Sequence, residues 1–153
     1  MILISACLIG EAVRYDGGHK LDQRLKDLVD KGEAITACPE LLGGLSVPRE
    51  PSEIVGGDGF DVWNDEAKVM TVTGRDVTEA FKTGAKQTLK IIQSFECDTV
   101  VLKSNSPSCG TRTIYNGQFN GGKTAGPGVL SALLSEYNIR VYDEVEFLAT
   151  LVE

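Results

Sequence analysis

The chain has 153 residues, a length that suits one domain, residues 1–153, built on one core. Its hydrophobic content of 42% and charged content of 24% are those of an ordinary globular protein. A net charge of −7 repels phosphate backbones and argues against bulk nucleic-acid binding, while a small anion in a local pocket stays compatible with it. Met1 runs straight into apolar ILISA without a basic leader, and no apolar stretch approaches the roughly 18 residues that cross a bilayer, so no membrane partner is expected. These features read as cytoplasmic, where the four cysteines (Cys7, Cys38, Cys97 and Cys109) stay reduced and serve as buried, reactive or metal-binding thiols.

Residues 2–6 form a short apolar run that predicts a buried strand, and residues 7–20, with three glycines, a loop. Residues 21–30 place Leu21, Leu25, Leu28 and Val29 on one helical face, closed by Gly32. A second strand is predicted over 33–37. Residues 39–59 are rich in Gly and Pro and read as a long irregular segment. Residues 60–74 read as a hairpin or extended excursion, supported by Trp63 and the alternating KVMTVT. The strongest helical pattern covers 76–95, with Phe81, Ala85, Leu89 and Ile92 as its apolar stripe. A third strand follows at 99–102, then a second irregular segment at 103–126. Residues 127–137 predict a helix with Pro127 at or near its first position. Strand 139–142 and helix 144–151 complete the chain. Strands alternating with helices imply a parallel sheet with helices on both faces. The expected fold is a small Rossmann-like or flavodoxin-like α/β sandwich of about four parallel strands in order 2-1-3-4, with an excursion after strand 2.

GQFNGGKT, residues 117–124, matches the phosphate-binding pattern G-x-x-x-x-G-K-[ST]. A working loop of this type joins a buried strand directly to a helix whose first turn faces the phosphates. Here the preceding strand ends near Leu102, and Gly126 and Pro127 put the next helix several residues beyond Lys123. A glycine-rich loop that happens to match is the better reading, and a nucleotide-binding protein is the weaker alternative.

Cys7, Cys38 and Cys109 follow strands 1, 2 and 3, so all three lie beyond the carboxyl ends of parallel strands. In an open sheet of order 2-1-3-4 the ligand crevice lies there, between strands 1 and 3. Cys97 precedes strand 3 and belongs at the opposite edge as a buried apolar residue. Three converging thiols suit a structural zinc, for which His19 is a candidate fourth ligand, or an iron–sulfur cluster with one open iron, or a single nucleophilic cysteine. Spacing alone leaves these open, together with three unrelated structural cysteines.

The segments SACLIGEAVRYDGGHK (5–20), ACPELLGGLSVPREPSEI (37–54) and VLKSNSPSCG (101–110) resemble one family over nearly the whole chain. It is the short bacterial and archaeal family long labelled a domain of unknown function, whose characterised members are TudS-type thiouracil desulfidases. CPE-x-x-G-G and SPSCG are its specific marks. Members often carry a second cysteine in the first motif, where this chain has Val13. The resemblance implies a 4Fe–4S cluster held by Cys7, Cys38 and Cys109, whose open iron binds the sulfur of a thiolated pyrimidine. The implied reaction is non-redox removal of that sulfur as hydrosulfide from free thiouracil, thiouridine or its monophosphate. Such a cluster is labile in air. A non-catalytic zinc module is the alternative, and nothing in the sequence names an acceptor for the released sulfur.

Around these ligands, Glu40 can take a proton from the attacking water, or serve as an acid at a helix N-terminus. Ser104 and Ser106 are catalytic candidates and Ser108 a substrate contact, all three against a background of turn chemistry around Pro107. Arg14 and Asp16 either bind substrate or pair with each other. Ser5 and Lys123 are further substrate-binding candidates, Lys123 through the glycine-rich loop. Arg49 reaches the pocket or another subunit. Phe60 and Trp63 are core or lid residues ahead of a base-stacking platform.

Overall fold

Short β-branched runs build the centre of the protein, and helices cover both of its faces. The structure, a computed structural model, describes residues 1–9 and 22–151. In chain order the elements are β1 (Ile2–Ser5), a 3-10 turn (Ala6–Ile9), α1 (Gln23–Asp30), β2 (Ala34–Ala37), α2 (Pro39–Leu42), β3 (Ser52–Val55) and α3 (Gly59–Trp63). They continue with β4 (Lys68–Thr71), α4 (Thr78–Ser94), β5 (Thr99–Leu102), β6 (Thr113–Tyr115), β7 (Lys123–Ala125), α5 (Val129–Leu134), β8 (Arg140–Asp143) and α6 (Glu144–Thr150).

β2-β1-β5-β8 form a parallel four-stranded sheet, which is the expected order 2-1-3-4. Alternation along each strand assigns the two faces. Leu3, Val100 and Leu102 face one side and join Phe81, Ala85, Leu89 and Ile92 of α4 and Val129, Leu130 and Leu134 of α5. Ile4 and Val101 face the other side with Leu25 of α1 and Phe147 of α6. α1 starts where the Asp22 side chain accepts from the Arg24 amide, and Gly32 beyond its end adopts φ 76°.

The excursion after strand 2 is a β3–β4 antiparallel pair, but residues 59–63 within it are helical. Trp63 therefore sits on a helix instead of a hairpin strand. Asp58 and Asp61 explain the difference by closing a capping box around the first turn of α3. The segment 39–59, expected to be irregular, contains α2 and β3. The segment 103–126 holds the β6–β7 hairpin. Pro127 lies ahead of α5 and its N-cap Gly128, outside the first helical position. Cys97 is buried at the amino-terminal edge of β5, as expected. No helix among the described residues is long and apolar enough to cross a membrane.

Candidate active site

The carboxyl ends of β1, β2 and β5 open onto one cavity of about 320 Å³. The register Ser5↔Ala37 sets Cys38 level with the turn that carries Cys7, and Ile4↔Val101 brings the end of β5 alongside. Cys38, Cys109, Ser5, Glu40, Ser104 and Ser106 all contribute to the wall. The cavity thus gathers Cys38 and Cys109, which no local sequence pattern links.

Cys38 is the N-cap of α2, followed by Pro39 at the first helical position and Glu40 in the first turn. Two glycines place this turn. A Cβ on Gly84 of α4 would collide with the Pro39 carbonyl, and one on Gly43 with the Ala80 carbonyl. The two helices therefore touch backbone to backbone, and α4 fixes the height of Cys38. Burial pushes the Cys38 thiol above its ordinary value, with amide hydrogen bonds from Leu41 and the nearby Arg49 charge acting against it. The Glu40 carboxylate forms an ion pair with Arg49 Nη2, and Arg49 Nη1 donates to the Ser46 carbonyl at 3.1 Å. Both side chains are largely shielded, at 17% and 10% exposure, so the carboxylate is held in one orientation beside the thiol.

Cys109 lies in a loop clamped to the start of α5. The amides of Val129 and Leu130 donate to the carbonyls of Pro107 and Ser108, and Gly128 N to Gly110 O. Ser131 Oγ donates to the Cys109 carbonyl at 3.1 Å. Ser106 Oγ accepts the Cys109 amide at 2.6 Å, a turn-closing bond that leaves its own proton for another acceptor. Ser104 lies two residues beyond β5. Its amide and hydroxyl donate to Glu144 Oε2 and Oε1 at 2.8 and 2.6 Å, and Lys103 Nζ stands 3.4 Å from Oε1. Burial raises the Glu144 pKa, yet these hydrogen bonds and the Lys103 charge outweigh it and leave the carboxyl below its ordinary value.

Two expected contacts fall outside this wall. Ser108 is fully buried beneath the loop, and its Oγ has no hydrogen-bond partner among the described residues. Lys123 is exposed on β7 with its Nζ 5.9 Å from the Tyr115 ring, and Tyr115 rather than Lys123 borders the cavity. Arg14, Asp16 and His19 lie outside the described residues, as does the side chain of Cys7. Among the described residues no three His, Cys, Asp or Glu groups are disposed to hold a metal ion. Arg49 does line the cavity. Glu144 belongs to no sequence motif, and its signal is its place directly beyond β8, a strand whose carboxyl end neighbours β5.

The phosphate-loop match fails on geometry. Lys123 is in a strand, not at the start of a helix. The loop amides of Gly117 and Phe119 already donate to the buried carboxylate Glu53 Oε1, at 2.9 and 3.3 Å. The α5 amides that an anion would need hold the carbonyls of the Cys109 loop.

The carboxyl edge of an open parallel sheet thus brings two thiols, a paired carboxylate and a run of serines together, in a protein of the small α/β class. The sequence pattern of the 2-thiouracil desulfurase family matches residues 2–146, and the chain belongs to that family. The uncharacterized protein YbbK of Bacillus subtilis strain 168 is 51% identical over 146 residues, covering 95% of this chain and 97% of that protein. A solved structure described as the [4Fe-4S]-dependent thiouracil desulfidase TudS aligns with a TM-score of 0.83 and 39% identity, over 99% of this chain and 98% of that one.

Proposed function

We propose that this chain, acting as one unit over residues 1–153 in the cytoplasm, removes sulfur from a thiolated pyrimidine: thiouracil, thiouridine or its monophosphate. The net reaction exchanges C=S for C=O, with water supplying the oxygen and sulfur leaving as hydrosulfide, so no electrons are transferred. The observation that carries this reading is the meeting of Cys38 and Cys109 on one cavity beside Glu40 and Ser104.

Those two thiols, with Cys7 on the turn directly beyond β1, suit a 4Fe–4S cluster of the kind named for the TudS structure. The donor set itself fits the same assignment, because Cys38 and Cys109 both line the cavity and thiolates are the ligands that iron–sulfur clusters take. Such a cluster supplies a Lewis-acidic iron for the substrate sulfur. The remaining work falls to the chain. Glu40, oriented by Arg49, holds the attacking water and takes its proton. Ser104 and Ser106 hydrogen-bond the pyrimidine, and Ser5 closes the floor of the cavity at the end of β1. Arg14 and Asp16 join the substrate contacts on sequence grounds. Lys123 acts at most through Tyr115.

Anaerobic iron and sulfide reconstitution followed by a sulfide-release assay on 2-thiouracil and 4-thiouridine tests this. Release that depends on the cluster and on Glu40 is expected. A fully loaded protein that releases nothing from either compound overturns the reading.

A further inference from the structure

The Ser104–Glu144 pair stands out because its hydrogen-bond polarity is fixed from three directions. Glu144 is the first residue of α6, directly beyond β8, and its carboxylate can only accept. It takes the Ser104 amide at 2.8 Å and the Ser104 hydroxyl at 2.6 Å. Lys103 Nζ can only donate, and it lies 3.2 Å from Ser104 Oγ. The single hydroxyl proton of Ser104 is therefore committed to Glu144, and one lone pair is committed to Lys103. Ser104 lines the cavity, and among the described residues a second lone pair is what remains on its Oγ.

We infer that Glu144 is a specificity-positioning residue: by holding the Ser104 proton it makes Ser104 Oγ an acceptor for the N3–H of the substrate ring. The inference rests on the desulfidase reading above and adds which face of the pyrimidine is selected. N3 neighbours both C2 and C4, so the same contact serves a ring with sulfur at either position. A uracil-type ring presents N3–H there, whereas a cytosine-type ring presents an unprotonated nitrogen that would face the Ser104 lone pair. The site thereby accepts thiouracils and rejects thiocytosines, and Glu144 does this without touching either.

Glu144→Gln tests the polarity directly. The Ser104 amide can only donate, so the glutamine oxygen must face it and the glutamine NH₂ must face Ser104 Oγ. Both Oγ lone pairs are then filled, by the glutamine and by Lys103, and the hydroxyl proton turns into the cavity. The experiment measures kcat/KM for 2-thiouracil and 2-thiocytosine with reconstituted wild type, Glu144→Gln and Ser104→Ala, at matched iron content and after thermal melts confirm folding. Wild type should prefer 2-thiouracil. Glu144→Gln should move the ratio toward 2-thiocytosine by roughly ten- to a hundredfold, the scale of one mispaired hydrogen bond. Ser104→Ala should weaken the preference without reversing it, which keeps the test alive if Glu144→Gln folds poorly. A merely structural role for Glu144 lowers both rates together, and an unchanged ratio in a folded, iron-loaded Glu144→Gln, or in Ser104→Ala, overturns the inference. Wild type that desulfurates neither compound at full iron content instead overturns the desulfidase reading, and this inference with it.

Discussion

Gly84→Ala is the sharpest probe of how the fold delivers Cys38 to the cavity. In a solvent-exposed helix this change stabilises by about 1 kcal/mol, because alanine restricts the unfolded chain and favours the helix. Gly84 is buried in α4 against α2, and the added Cβ would overlap the Pro39 carbonyl and lie 3.2 Å from the Gly43 amide. Neither neighbour is a flexible side-chain end, so α2 itself must shift. Overpacking of this kind costs about 1–3 kcal/mol, which outweighs the gain in helix propensity. The net effect is a loss of about 1 kcal/mol, or roughly 2–4 °C in Tm for a chain of this size. Because Cys38 directly precedes Pro39, iron retention after reconstitution should fall as well. The assay pairs a thermal melt with iron analysis, alongside Gly43→Ala, whose Cβ meets the Ala80 carbonyl. A rise in Tm for Gly84→Ala with full iron retention would refute the reasoning, since that is how a helix with room for a methyl group behaves.

Glu53→Ala should free the loop at the tip of the β6–β7 hairpin, which the buried carboxylate holds through the Gly117 and Phe119 amides. A loss of about 2 kcal/mol is expected from two charge-assisted bonds, with faster hydrogen exchange at residues 117 and 119 as the local signature; unchanged exchange there contradicts the latch. Lys123→Ala should leave nucleotide binding as it is in the wild type, undetectable by equilibrium dialysis with ATP or GTP; micromolar binding that disappears in the variant contradicts the hairpin assignment. Glu144 has a carboxyl pKa depressed in the folded state, so its contribution is complete above the unfolded value of about 4.3 and fades as pH falls through the folded one. The stability gap between wild type and Glu144→Gln, read from denaturant melts, should therefore shrink on acidification below about pH 4.3. A gap that widens on acidification has the wrong sign for this account.

Much of the sheet was legible because its strands are short apolar runs whose neighbours alternate with amphipathic helices. Leu3 and Ile4, or Val100 and Val101, need opposite faces, and a sheet covered by helices on both sides satisfies both. The meeting of Cys38 and Cys109 at one edge followed from strand order, which sets the carboxyl ends of β2 and β5 on either side of β1. What stayed hidden depends on tertiary contacts. The helical turn at Trp63 arises from a reciprocal Asp58–Asp61 cap inside an extended-looking stretch. The polarity of Ser104 depends on Glu144, 40 residues later, and the orientation of Glu40 on Arg49 across a loop. The glycine-rich hairpin looked like a phosphate cradle because glycine spacing is visible in a sequence, whereas the Glu53 carboxylate that occupies its amides is not.

Sulfide release from 2-thiouracil by anaerobically reconstituted protein, compared between wild type and Cys109→Ala, tests the central claim most directly. Cluster-dependent release by the wild type, and its loss together with bound iron in Cys109→Ala, is the predicted result. Release that persists in Cys109→Ala would contradict the assignment of the cysteine-lined cavity as the active site.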